Sequence, residues 1–96
     1  MDDKLMVKER VLDFSDCAYL GELYAVIKKE LELPEWCGTN LDALWDAVTG
    51  IMYTPARITI KPGTRRAELA QSVENMIAVF RDAEREYGEI TVVVEK

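Results

Sequence analysis

A chain of 96 residues can build one domain around a single modest core, and 49% apolar residues is not the make-up of a disordered chain. The net charge of −6 disfavours direct nucleic-acid binding, and no apolar run approaches the roughly 18 residues needed to span a bilayer. With no histidine, two cysteines (Cys17 and Cys37) and a Met-Asp-Asp-Lys start unlike a signal peptide, the chain is expected to be cytoplasmic, with reduced thiols and no metal or cofactor.

Residues 8–14 contain the apolar cluster of a first strand, its start blurred by Met6 and Val7. Ser15, Asp16 and Gly21 are candidate caps for the helix that follows, in which Leu20, Leu23, Tyr24, Ile27 and Leu31 form one apolar stripe. Lys28 and Lys29 suit its C-terminal end, and Pro34 should stop it at Leu33. A loop through Trp36 and Gly38 leads to Thr39 or Asn40, either of which can cap the next helix. Leu41, Leu44, Trp45 and Val48 then share an apolar face, and Gly50 is a natural stop. Tyr53-Thr54-Pro55 leads into a second strand, 56–60, closed by Pro62-Gly63. Thr64 can cap a helical region striped by Leu69, Val73, Met76, Ile77, Phe80 and Ala83, which is either one helix or two divided at Ser72. It runs to Tyr87, with Gly88 suited to a left-handed end. Ile90–Val94 is the clearest strand, and its valine run suits burial on both faces.

Three strands separated by helices require crossover connections. The expected fold is therefore α/β, a three-stranded parallel sheet with helices packed against it, as a single domain over residues 1–96.

The charge is not evenly spread. Residues 1–29 carry a net −1 and residues 57–96 net zero, whereas residues 30–56 hold Glu30, Glu32, Glu35, Asp42 and Asp46 with no Lys or Arg. A one-sign patch attracts cationic partners and repels polyanions. Asp42 and Asp46 are like charges at i,i+4, an arrangement that costs a helix roughly 0.2–0.5 kcal/mol. Asp42 partly recovers this near the positive helix end, but Asp46 lies too deep to do so. The helix would be more stable without Asp46, which points to a role other than folding.

The stretch Leu-Pro-Glu-Trp-Cys-Gly-Thr-Asn-Leu-Asp-Ala-Leu-Trp-Asp at 33–46 resembles the barstar family of ribonuclease inhibitors. The likeness extends to Thr49-Gly50, to Phe80-Arg81-Asp82-Ala83-Glu84 and to the terminal Ile-Thr-Val, and covers the chain from about Val11 onward. It implies a three-stranded parallel sheet with helices against it. It also implies a protein partner, a cationic secreted ribonuclease of the barnase type whose active site is plugged by the helix over 40–50 and the loop before it. By motif, the implied partner-binding residues are Trp36, Gly38, Asn40, Leu41, Asp42, Ala43, Trp45, Asp46, Thr49 and Gly50, with Asp82 and Glu86 flanking from the last helix. Asp46 matches the aspartate that takes the substrate phosphate's place. Cys37 and Ile51 stand where the family often has aromatics, and Asp82 is one methylene shorter than its usual glutamate.

Other readings compete. Trp45 can serve the core or the interface, whereas Trp36, beside Gly38, favours an interface anchor. Enzyme chemistry would rest on Asp42 and Asp46, but carboxylates projecting from one helix face do not flank a substrate, and no phosphate loop or activated nucleophile is present. The alternative to inhibition is an acidic interaction module for a cationic partner that is not a nuclease. The free protein is expected to be a monomer.

Overall fold

The computed structural model describes residues 7–52 and 54–95. Met6 as a strand start, the Met1–Lys4 segment and Tyr53 lie outside them. The elements run β1 (Lys8–Asp13), α1 (Leu20–Glu30), α2 (Leu41–Gly50), β2 (Ala56–Lys61), a 3-10 turn (Ala67–Leu69), α3 (Ala70–Glu86) and β3 (Ile90–Val94).

The strands form one parallel sheet in the order β1-β2-β3, with Lys8 opposite Ala56 and Ala56 opposite Ile90. Each crossover steps one strand in the same direction. Two right-handed steps of that kind put their helices on the same side. The alternation of side chains agrees. Leu12 from β1, Ala56, Ile58 and Ile60 from β2, and Ile90 and Val92 from β3 are buried. Glu9, Val11, Arg57, Lys61 and Thr91 are exposed on the opposite face, with Glu9 in register with Arg57 and Asp13 with Lys61. The expectation that β3 is buried on both faces therefore fails. It is an edge strand, and no described helix is left to cover the outer side.

The core is closed by Phe14, Leu23, Ile27, Leu31, Leu44, Val48, Val73, Met76 and Phe80, each at most 3% exposed. Burial of each large apolar side chain contributes about 1.5–3 kcal/mol. Most of the α1 stripe lies in this core, but Leu20, its first residue, is 46% exposed. Likewise Leu41, at 36%, stays outside while Ala47 takes the buried place beside Leu44 and Val48.

Several helix ends differ from expectation. None of Ser15, Asp16 or Gly21 caps α1. Glu22, one turn into the helix, reaches back so that Oε1 accepts from the amides of Ala18 (2.6 Å) and Tyr19 (3.3 Å). The helix stops at Glu30 rather than Leu33, because Glu32 adopts φ 55° and the chain folds back. The Glu32 amide then donates to the Lys29 carbonyl (3.3 Å) and the Leu33 amide to that of Lys28 (2.9 Å), a Schellman ending without glycine. Gly50 is the last residue of α2, and no described glycine, Gly88 included, has positive φ. Tyr87 ends α3 in an extended conformation instead. Thr64 donates to the Arg66 carbonyl (2.8 Å) rather than capping amides, and Ser72 lies inside one continuous α3.

The outer edge of β3 is closed by side chains. Glu84 Oε2 accepts from the Val92 amide at 2.9 Å, and Arg81 Nη1 donates to the Val92 carbonyl at 3.0 Å. Among the described residues, no helix is long and apolar enough to cross a membrane.

Candidate functional site

The segment from Leu31 to Gly50 builds one face from a braced loop and a short helix. After the Schellman ending, the Cys37 amide donates to the Pro34 carbonyl (3.1 Å), and Lys28 Nζ donates to the Glu35 carbonyl (3.3 Å), tying the loop back to α1. Cys37 points inward at 8% exposure, while its neighbour Trp36 is 76% exposed. An indole left this far out gains nothing for folding and is available to a partner. Gly38 allows a close approach: a Cβ there would stand 3.1 Å from Ala43 Cβ, so the loop lies tightly against the first turn of α2.

Asn40 resolves the choice of cap. Its Oδ1 accepts from the Ala43 amide at 2.8 Å, and its carbonyl accepts from Leu44 at 3.0 Å. This fixes the start of α2, with Leu44, Ala47 and Val48 anchored below and Asp42 and Asp46 projecting above, both exposed. Neither aspartate has an ion-pair partner among the described residues. Two carboxylates therefore stand on a rigid element, solvated and uncompensated, able to accept from several donors at once.

Trp45 divides its surface between core and solvent. It is half-buried, packs on the core, and meets Tyr87 with ring centroids 6.4 Å apart and planes at 56°. The contact brings the end of α3 beside α2. Thr49 turns its hydroxyl back to the Trp45 carbonyl at 2.7 Å, leaving Gly50 exposed at the helix end. On α3, Glu86 is exposed, and Asp82 is ion-paired with Arg85 one turn further on.

Beside the α2 N-terminus lies an open cleft of about 420 Å³, floored by Leu20, Tyr24 and Met76 and bordered by Asn40, Leu41 and Asp42. Burial raises the Tyr24 phenol above its ordinary range. Cys17 is a free, buried thiol, pushed upward first by desolvation and then by nearby Glu22 and Asp16. Cys37 is likewise free and buried. Among the described residues, no group of three or more His, Cys, Asp or Glu side chains is placed to hold a metal.

Sequence reasoning places Trp36, Gly38, Asn40, Leu41, Asp42, Ala43, Trp45, Asp46, Thr49 and Gly50 on one loop and helix, and the coordinates keep them there. Their reading as binding residues rests on chemistry and resemblance. Tyr87 and Arg85 were not singled out. Tyr87 was legible only as a helix end, and Arg85 only as one of several charges on an exposed face.

The family model described as Barstar (barnase inhibitor) matches residues 7–95. A Bacillus subtilis (strain 168) protein named "Putative ribonuclease inhibitor YrdF" is 26% identical over 91 residues, covering 93% of this chain and 100% of that protein. Both descriptions are of inhibitors, not enzymes.

Proposed function

Because this chain belongs to the barstar family of ribonuclease inhibitors, we propose that it is a stoichiometric inhibitor of a cationic, secreted barnase-type ribonuclease, inserting residues 36–50 into that enzyme's phosphate-binding site. The observation that carries this reading is the pair Asp42 and Asp46, both exposed and without ion-pair partners on a helix fixed by Asn40.

A ribonuclease site gathers basic donors around a phosphate, and a carboxylate on a rigid helix offers those donors an equivalent acceptor. Asp46 takes the phosphate's place, with Asp42 beside it and Glu86 at the rim. Trp36 and Trp45 supply apolar area around the charges. Gly38, Asn40 and Ala43 set the loop against the helix, and Leu41, Thr49 and Gly50 border the charged patch. Removing a carboxylate from water is costly unless its partners are already in place, and the enzyme's preformed site meets that condition. The interface is expected near 1,600 Å². Such an inhibitor would act as a monomer in the cytoplasm, protecting the cell that makes the nuclease.

The experiment is a titration of the protein into barnase with RNA cleavage as readout. The parent inhibits stoichiometrically, with an association rate that falls steeply as salt is added. Asp46→Ala weakens inhibition by about 100-fold or more, the effect of leaving buried basic groups without their partner. The same variant folds as well as the parent or better, by roughly 0.2–0.5 kcal/mol. An Asp46→Ala protein that inhibits like the parent overturns the reading. A parent that binds basic proteins indiscriminately without slowing RNA cleavage points instead to a general acidic interaction module.

A further inference from the structure

The last helix carries two acid–base pairs at the same i,i+3 spacing, and they serve different ends. Arg81 and Glu84 lie 3.3 Å apart, and each also bonds the backbone of Val92. That pair belongs to the fold. Asp82 and Arg85 pair one residue further along the helix, with side chains 53% and 72% exposed and no backbone partner among the described residues. An exposed isolated pair contributes little to stability.

What this second pair changes is the charge of the face beside α2. The Trp45–Tyr87 contact brings the end of α3 against the acidic helix. Ser72 and Asn75 of α3 line the cleft with Asp42 of α2, and Asp82 lies two turns beyond Asn75 on the same side of the helix. Of the exposed carboxylates on α2 and that side of α3, Asp42, Asp46 and Glu86 have no ion-pair partner among the described residues, and Asp82 alone is paired. Arg85 adds a positive charge where the rest of the surface attracts cations.

We infer that Arg85 is a selectivity residue of this surface: it occupies Asp82, so that binding rests on Asp42, Asp46 and Glu86, and it repels a partner whose rim is basic at that point. The inference rests on the inhibitor reading above. The surface favours a ribonuclease whose basic groups converge on α2 and whose rim opposite the end of α3 is neutral or acidic. Rim charges of this kind act mainly on the association rate.

The test measures association with barnase at low salt for the parent, Arg85→Ala, Asp82→Ala and the double variant. All substitutions are at exposed positions, and circular dichroism checks that each protein is folded. Arg85→Ala should associate about threefold to tenfold faster than the parent. Asp82→Ala should change the rate less than about twofold in the parent but lower it about threefold or more in the Arg85→Ala background, since only there is the carboxylate free. Equal effects of Asp82→Ala in both backgrounds, or no gain from Arg85→Ala, overturn the inference. If that happens while Asp46→Ala still weakens inhibition as stated above, this inference alone falls. If neither the parent nor Arg85→Ala binds barnase, it falls together with the inhibitor reading.

Discussion

Trp45 and Tyr87 form a tilted aromatic contact, centroids 6.4 Å apart, between the acidic helix and the end of α3. Since α2 is only 10 residues long, its orientation depends on tertiary contacts more than on its own helix propensity. An aromatic pair of this geometry contributes about 0.5–1.5 kcal/mol beyond area burial. Tyr87→Ala should therefore lower unfolding stability by about 1 kcal/mol in urea. In a Trp36→Phe background, where Trp45 is the remaining tryptophan, its emission should shift to the red as the ring gains solvent. An unchanged spectrum would mean that Tyr87 does not shield the indole.

Glu84 and Arg81 answer the problem of a sheet edge. A strand with unpaired backbone groups is a template for aggregation, and β3 meets this at Val92 with one acceptor and one donor from α3. Glu84→Ala leaves the Val92 amide without its acceptor in a residue only 4% exposed, at a cost of about 1–3 kcal/mol. Glu84→Gln keeps an acceptor and should recover most of that loss. Denaturation curves give the ranking parent, Gln, Ala. Inhibition by the folded fraction should stay constant across the three, because Glu84 faces the sheet edge.

What the sequence made legible follows from how local each signal is. The helices were readable because Leu23, Ile27, Val73 and Phe80 fall on stripes at the helical period, the strands because apolar and β-branched residues cluster at 8–14, 56–60 and 90–94, and Pro34 and Asn40 punctuate the chain. The placement of Asp42 and Asp46 beside the apolar face of α2 was readable from their spacing against Leu41, Leu44, Trp45 and Val48, and the acidic patch from the absence of any base between residues 30 and 56. The ends of elements were harder. Glu22 caps α1 from inside the helix, where a search for a cap before the helix does not look. Single-face burial of β3 depends on the strand order and the side on which the helices fall, a property of the whole topology. The pairing of Asp82 with Arg85 rather than with solvent or another base is a choice among rotamers on an exposed face, and no periodicity records it.

Glu32 holds a left-handed conformation, φ 55°, at the position where helices commonly place glycine. For an L-residue this costs roughly 1–2 kcal/mol, set against the greater freedom that glycine loses on folding. Glu32 also pairs with Arg10 at 2.9 Å, and the arginine side chain is only 15% exposed while the glutamate is 58% exposed. The two contributions separate by substitution. Glu32→Ala loses the ion pair and keeps the strain, so it should be less stable than the parent by up to about 1 kcal/mol. Glu32→Gly loses the same pair but relieves the strain, and should exceed the alanine variant by about 0.5–1 kcal/mol. Urea denaturation of the three proteins reads both differences. Equal stability of the glycine and alanine variants would show that the loop tolerates the left-handed residue without cost, and that the ion pair to Arg10 alone accounts for a glutamate at this turn.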